Sequence, residues 1–161
     1  MFEIRGERPE DAEDIAELVA ACFGPGRFAK SAWRLREGVG PAAGLGFVAL
    51  EGGALRGSVR FWPVFVGAAP ALLLGPLAVR GEDRGRGIGI ALMNQGIEAA
   101  RRGGHRAIVL VGDLPYYARV GFAALPRNSV RFPGPVDPAR ILGLALEPGA
   151  LDALAGDVRR K

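Results

Sequence analysis

The sequence predicts a mixed α/β fold of the α+β class, in which a largely antiparallel sheet is flanked by helices. Three strand-like runs follow one another at residues 46–51, 54–66 and 71–79. The connections Gly-Gly and GAAP between them are typical of hairpins, so these runs predict an antiparallel meander. A glycine-rich loop, a helix and an apolar run at 106–111 come next. This order lets the last run lie parallel to 71–79 through a right-handed crossover.

Local signals place the remaining elements. Residues 2–5 can form a first strand, and Pro9 opens a helix whose first turn is acidic. A second short helix is predicted around Phe28, Trp33 and Leu35, and a helical turn within LPYYARV is followed by strands in GFAAL and ILGLALE. The helix after the glycine loop has an apolar stripe at helical spacing, which consists of Ile88, Leu92, Met93, Gly96, Ile97 and Ala100.

Length and composition indicate one cytoplasmic domain spanning 1–161. The 161 residues are 49% apolar and 24% charged, which is a globular balance rather than a disordered one. No apolar run approaches the roughly 18 residues that a membrane span needs, and the first residues are acidic where a signal peptide would be basic and then apolar. The expected protein therefore has no membrane partner.

Charge and metal-ligand content narrow the function classes further. The formal net charge of +4 is the difference between 21 basic and 17 acidic residues, and of the basic ones only Lys30 and Lys161 are lysines. This balance is a weak indication of an anionic ligand. The arginines are scattered without interleaved aromatics, so a nucleic-acid partner is not expected. Cys22 and His105 are the only cysteine and histidine, and no metal site is expected from them.

The glycine-rich loop is the strongest candidate for a ligand site. A nucleoside-triphosphate loop needs a lysine that is absent here, and the dinucleotide fingerprint fails because its last glycine would fall on Ile90 or Leu92. What remains is the run Arg84-Gly85-Arg86-Gly87-Ile88-Gly89 at the start of a helix. Free amides there, unobstructed at the glycines, can converge on a pyrophosphate. Taken alone, the loop could equally serve only to make a tight corner.

Three segments in order resemble one family. LLLGPLAV, RGRGIG and VLVGDLPYYARVGF, within roughly residues 71–124, are similar to the central half of the GNAT superfamily of acyl-CoA-dependent N-acetyltransferases. The run GDLPYYARVGF resembles a branch of small bacterial acetyltransferases with a Gly-Asp-x-x-Tyr-Tyr motif. The resemblance implies the GNAT fold, with a mixed, mostly antiparallel sheet of about six or seven strands. That sheet would splay between the strand before the glycine loop and the strand after its helix.

The resemblance also implies which residues hold acetyl-CoA, the expected co-substrate. The backbone of the strand before the loop would run beside the pantetheine arm, and the Val79 amide could also polarise the thioester. The loop would hold the pyrophosphate, mainly through backbone amides and partly through arginine charge. The implied cofactor-binding residues are Leu77, Ala78, Val79, Arg84, Gly85, Arg86, Gly87, Ile88 and Gly89.

Tyr117 is the residue that the resemblance assigns to acid catalysis. It stands four residues before Gly121, as in the family's Y-x-x-x-G-F motif, where the hydroxyl faces the coenzyme sulfur. A phenol there can protonate the departing thiolate without being charged itself. The adjacent Tyr116 is expected to pack or to line the acceptor side.

The general base is less clearly marked. No Asp or Glu occurs from Gly52 through Gly81, so the strand glutamate that some family members carry is missing. Asp113 is the best acidic candidate, and the alternative is that it caps the short helix of Tyr117. A water chain could also take the proton.

The resemblance implies an enzyme that transfers acetyl from acetyl-CoA to a primary amine by direct attack in a ternary complex. The alternative is a CoA-binding sensor or scaffold without turnover. No acidic cluster marks the expected acceptor walls, which are 23–33, the strand centre with Phe61 and Trp62, and the tail beyond Val130. A neutral or anionic amine, small or peptidic, is therefore favoured. Trp33 and Trp62 also fit as core residues, and a homodimer is left open.

Overall fold

In the computed structural model, which describes residues 1–24 and 31–161, a mixed sheet is built on the predicted meander. The strand order is β1-β2-β3-β4-β5-β8-β6, with β9 pairing to the far end of β3 and β7 pairing to β9. Parallel pairing occurs between β4 and β5 and between β7 and β9, and the other pairs are antiparallel. The strands are β1 Glu3–Gly6, β2 Gly46–Glu51, β3 Ala54–Val66, β4 Ala69–Val79, β5 Ala107–Val111, β6 Ala123–Ala124, β7 Val130–Arg131, β8 Ile141–Ala145 and β9 Gly156–Arg160.

Two long helices cover opposite faces of the sheet. One face packs Val48 and Leu50 against the first helix, and the other packs Phe47 and Ala49 against the third helix. These residues alternate along β2, as side chains of a strand must when both faces are buried. The helices of the described chain are α1 Ala12–Phe23, α2 Ser31–Arg34, α3 Ile88–Arg102 and α4 Leu114–Tyr117.

The sheet splays between β4 and β5, as predicted. These strands pair in parallel only at Leu72–Ile108 and Leu73–Val109. Beyond them, β4 continues to Val79 and stays paired with β3, from Val59–Leu77 to Gly57–Val79. The edge of β4 that would otherwise face β5 is therefore open toward the loop that begins α3.

The third helix lies very close to the sheet. Its predicted apolar stripe is the buried face observed in the structure. A Cβ at Gly96 would collide with the ring of Phe61, so only glycine allows this approach. Phe61 is fully buried in the core beneath α3, and the prediction that it walls an acceptor pocket is wrong.

Two short strands, β7 and β9, were not predicted. In β9 only Val158 is buried, and the sequence GDVRR otherwise presents charged side chains at the sheet edge. Such a strand lacks the apolar alternation by which strands are identified. The predicted second helix is observed as α2, while Phe28 lies outside the described residues. Across the described chain, no helix has the length and apolar character needed to cross a membrane.

Candidate active site

A cleft of about 510 Å³ opens where β4 and β5 diverge. Strand β4, the loop at 84–87, the first turn of α3 and helix α4 all contribute to its walls. Most of the predicted coenzyme-binding residues lie here together. The lining residues among them are Leu77, Ala78, Val79, Arg84, Gly85, Gly87, Ile88 and Gly89.

The N-terminus of α3 presents unpaired amides to this cleft. The first intrahelical hydrogen bond runs from the Ala91 amide to the Gly87 carbonyl, over 3.0 Å, so the three preceding amides have no helical partner. Gly87 is the N-cap, with φ of +82°, and no side chain caps this end of the helix. A Cβ placed on Gly85 or Gly87 would meet nothing within 4 Å. The loop thus leaves both donors and space for an anionic group.

The two arginines of the loop have different surroundings. Arg84 lines the cleft. Arg86 instead donates to Asp83 over 2.7 Å and also pairs with Glu51 on β2. The Glu51 and Asp83 hydrogen bonds raise the pKa of Arg86. The geometry therefore gives Arg86 a bracing contact between the loop and the sheet, while its predicted contribution to pyrophosphate binding stays a prediction.

Strand β4 supplies the second wall of the cleft. Its residues Leu77 to Val79 pair with β3 on one side and face the cleft on the other. The Cys22 thiol, at the end of α1, donates to the Val79 carbonyl over 3.4 Å. This contact ties α1 to the strand edge where the predicted pantetheine arm would run.

Packing contacts of its ring fix the position of Tyr117 in the cleft. The ring stands edge-on to Tyr116 at 5.1 Å and to Phe122 at 6.1 Å between centroids. A Cβ on Gly112 would collide with the Tyr117 ring, so glycine is required beneath it. Gly112 is a site residue that the sequence analysis missed, although the glycine of the quoted GDLPYY run was its signal. The ring is thus fixed independently of the hydroxyl.

Burial raises the pKa of Tyr117 to about 12, with the nearby Tyr116 and Asp113 adding to the effect and Arg140 opposing it. The phenol therefore keeps its proton throughout the neutral range. Since the ordinary value is 10.0, this group does not change the stability of the fold below pH 10. Between pH 10 and about 12 the stability falls, because the phenol ionises more readily in the unfolded chain than in the fold.

The ionisation of Tyr117 can be measured directly because the chain has only two tyrosines. Alkaline titration followed by tyrosinate absorbance should show one residue ionising near pH 12. Tyr116, whose pKa burial also raises, should ionise separately above its ordinary value. The Tyr117→Phe variant should lose the step at highest pH. A full tyrosinate equivalent below pH 10 in protein that circular dichroism shows to be folded would contradict this environment.

Tyr116 faces the helix rather than the sheet. A Cβ on Gly89 would collide with its hydroxyl, so the phenol lies against the first turn of α3. Arg119 lies 6.0 Å from the ring centroid. Tyr116 lines the cleft, which agrees with its predicted lining role but places its hydroxyl beside the free amides.

Asp113 occupies the N-cap position of α4 without acting as a cap. Its side chain accepts no capping hydrogen bond, so the capping interpretation is wrong. Its Oδ1 instead lies 3.4 Å from Nε of Arg140, and both side chains are exposed. Asp113 lines the cleft beside Tyr117, and its role as a base stays a prediction.

A second cavity, of about 440 Å³, adjoins the cleft on the other side of Tyr117. The two share Phe23, Leu77, Asp113, Tyr116 and Tyr117 as walls. The second cavity continues past Arg36 and is also lined by Trp33 and Val136, which belong to the predicted acceptor walls. Tyr117 therefore stands at the junction of a cleft suited to a diphosphate and a smaller cavity.

The two tryptophans have different roles. Trp62 is buried and donates its indole N–H to the Gly75 carbonyl, as a core residue would. Trp33 is half-buried and lines the second cavity. Arg36, beside it, is a cavity residue that the sequence analysis missed, because no local motif marks it.

Comparison with known proteins agrees with this geometry. The family model described as "Acetyltransferase (GNAT) family" matches residues 12–122, which is more than half of the chain. The protein belongs to the GNAT acetyltransferase family. The matched range includes the glycine loop and Tyr117, so the predicted family and its fold are confirmed.

Bacterial GNAT proteins are similar over most of the chain. The Escherichia coli K12 protein named as the uncharacterized N-acetyltransferase YhbS is 34% identical over 131 residues, covering 80% of this chain and 77% of its own length. A crystal structure of YhbS in complex with CoA superposes with a TM-score of 0.81 at 32% identity, covering 99% of this chain and 89% of that one. A GNAT acetyltransferase from Brucella melitensis in complex with acetyl-CoA gives 0.75 at 32% identity, covering 100% and 96%.

Proposed function

We propose that this GNAT protein transfers an acetyl group from acetyl-CoA to a primary amine by direct attack within a ternary complex. The observation that carries the proposal is the position of Tyr117, which lines both the diphosphate-suited cleft and the second cavity. A coenzyme in the first and an amine in the second would meet at its hydroxyl. The two related proteins seen with CoA and acetyl-CoA support the choice of co-substrate.

The residues present fit acetyl-CoA. The amides at the start of α3 and the open space at Gly85 and Gly87 suit the pyrophosphate, and Arg84 adds positive charge at the cleft. The open edge of β4 at Leu77–Val79 can pair with the amides of the pantetheine arm, as an added strand would. When bound, acetyl-CoA supplies an activated acetyl group whose carbon–sulfur bond breaks as the amine nitrogen bonds to the acetyl carbon.

Tyr117 stabilises the departing sulfur by donating its hydroxyl proton toward it. An ordinary thiol has a pKa of roughly 8.5, about three to four units below that of this phenol, so complete proton transfer is uphill. Tyr117 therefore stabilises the transition state through a hydrogen bond that strengthens as negative charge develops on sulfur. The raised pKa keeps that donor protonated at every physiological pH.

The amine must lose a proton before or during attack. Asp113 is the acidic residue shared by both cavities, and its exposed carboxylate can pass a proton to solvent. Water reaching the cleft can do the same. If Asp113 is the base, Asp113→Asn should lower kcat with CoA affinity unchanged, whereas an unchanged kcat would indicate the water route.

A panel of primary amines assayed for free thiol release in the presence of acetyl-CoA tests the proposal. Turnover of at least one amine, with formation of its acetamide shown by mass spectrometry, is the expected result. If CoA binds but no amine in a chemically broad panel is acetylated, the transferase is rejected in favour of a binding module. Acetylation must also require both substrates together, since release of thiol from acetyl-CoA without an amine would contradict direct attack.

A further inference from the structure

A largely buried arginine without an acidic partner stands in the second cavity. Arg36 lies with its guanidinium 5.4 Å from the Trp33 ring centroid and 6.0 Å from that of Trp62. Its Nε is buried and has no hydrogen-bond partner. Its Nη2 lies so close to Gly75 that a Cβ there would meet it at 2.6 Å. The side chain of Arg36 thus packs against two indoles and one glycine.

No carboxylate in the described part of the chain forms an ion pair with Arg36. Among the described residues the structure gives it no ion pair, and residues 25–30, PGRFAK, contain no acidic side chain. The charge that acts on its pKa is that of Arg60, which is already paired with Glu7 over 2.6 Å. Burial and Arg60 lower the pKa of Arg36 to about 10, so it remains cationic at neutral pH. A desolvated cation of this kind is costly unless an anion joins it.

The other charges of the cavity already have partners. Asp113 pairs with Arg140, and Asp137 accepts a hydrogen bond from the Ala139 amide over 3.0 Å. Together with Arg36 these groups make two acidic and two basic side chains around about 440 Å³. The two carboxylates disfavour a dianion such as a phosphate monoester, and the balanced charge suits a ligand with one positive and one negative end.

We propose that the acetyl acceptor is an amino carboxylate whose carboxylate is bound by Arg36 while its amine lies at Tyr117. The inference rests on the proposed function, which supplies the amine. The planar guanidinium packs against two indoles and lines the cavity, where its Nη groups can donate to a carboxylate. Apolar walls, including Phe23, Leu74 and Val136, leave room between the two ends for a hydrocarbon body.

A comparison of each amino acid with its primary amide measures how much the ligand carboxylate contributes to binding affinity. The probes are phenylalanine, leucine and 6-aminohexanoate, each compared with its primary amide, titrated by calorimetry into protein saturated with CoA. In at least one pair the acid should bind about 10-fold or more tightly than the amide, since hydrogen bonds to charged groups are the stronger kind. Arg36→Met should reduce that ratio to near one with CoA affinity unchanged, and Arg36→Lys should retain part of it.

Arg34→Met is the matched control, because it removes an exposed arginine two residues away that lines neither cavity. It should keep the full acid-to-amide ratio. The inference is overturned if no acid binds, if acids and amides bind equally, or if Arg36→Met keeps the preference. If Arg36→Met does not fold, the acid-to-amide affinity ratios of the wild type and of Arg36→Lys test the inference instead. Failure of the proposed function is distinct, because it appears as lost CoA binding or as absence of acetylation across all amines.

Discussion

Replacing Tyr117 with phenylalanine should lower kcat about 100-fold, at the low end of the range for loss of one hydrogen-bond donor to developing negative charge, with CoA affinity unchanged. The ring contacts with Gly112, Tyr116 and Phe122 do not involve the hydroxyl, so the variant should fold normally. The effect stays at the low end because a thiolate is a fair leaving group and water can replace the phenol in part. Steady-state kinetics with calorimetry of CoA binding measures both quantities.

Tyr116→Phe is the matched control, since it removes the neighbouring hydroxyl from the same helix. Both tyrosines line the two cavities, but the Tyr116 hydroxyl lies against Gly89 in the first turn of α3. We therefore expect kcat to change far less than in Tyr117→Phe. Equal turnover of wild type and Tyr117→Phe, under conditions where chemistry limits the rate, would show that Tyr117 is structural. Loss of CoA binding in that variant would contradict the separation between binding and chemistry proposed here.

Gly87→Val should weaken CoA binding by about 100-fold, as expected when two hydrogen bonds to a charged phosphate, each worth roughly 1.5 kcal/mol or more, no longer form. Gly87 has φ of +82° and its Cβ position is open to the cleft. A branched side chain there occupies the space that the phosphates need and disfavours the backbone conformation that aims the amides. Calorimetric titration with CoA measures the loss.

Gly104→Val separates binding from backbone strain. Gly104 has φ of +81°, its Cβ position is likewise open, and it lies beyond the opposite end of α3. Both variants therefore incur similar conformational strain and should lose similar thermal stability, while only Gly87→Val loses CoA affinity. Unchanged affinity in folded Gly87→Val would place the pyrophosphate elsewhere.

The strand, loop and helix at the centre of the molecule were predictable because their signals are local. The apolar run of β4, the alternate glycines and the stripe of α3 each lie within a few residues of one another. Hairpin connections then fixed the order of β2, β3 and β4, and the right-handed crossover rule gave the parallel neighbour β5. The family motif added Tyr117 at the point where β4 and β5 separate.

Contacts between side chains that are far apart in the sequence could not be predicted from local signals. The contact between Arg86 and Glu51 joins residues that are 35 positions apart in the chain, and no local pattern indicated it. The position of Arg36 in the cavity could not be predicted, because the residues it packs against, Trp33, Trp62 and Gly75, are far apart in sequence. Strand β9 forms by pairing with the end of β3, and its charged sequence contains no pattern that predicts this pairing.

Binding of CoA to the wild-type protein tests the proposed function at its first requirement, because every step depends on the coenzyme occupying the cleft at the start of α3. Thermal unfolding should shift upward as CoA or acetyl-CoA is added, since a ligand that binds only the folded state stabilises it by RT ln(1 + [L]/Kd), about 2.7 kcal/mol at 100 times Kd. Calorimetry should give one site per chain. Absence of any shift at millimolar CoA, in protein shown to be folded, would mean that the cleft does not bind the coenzyme and that the protein is not a CoA-dependent transferase.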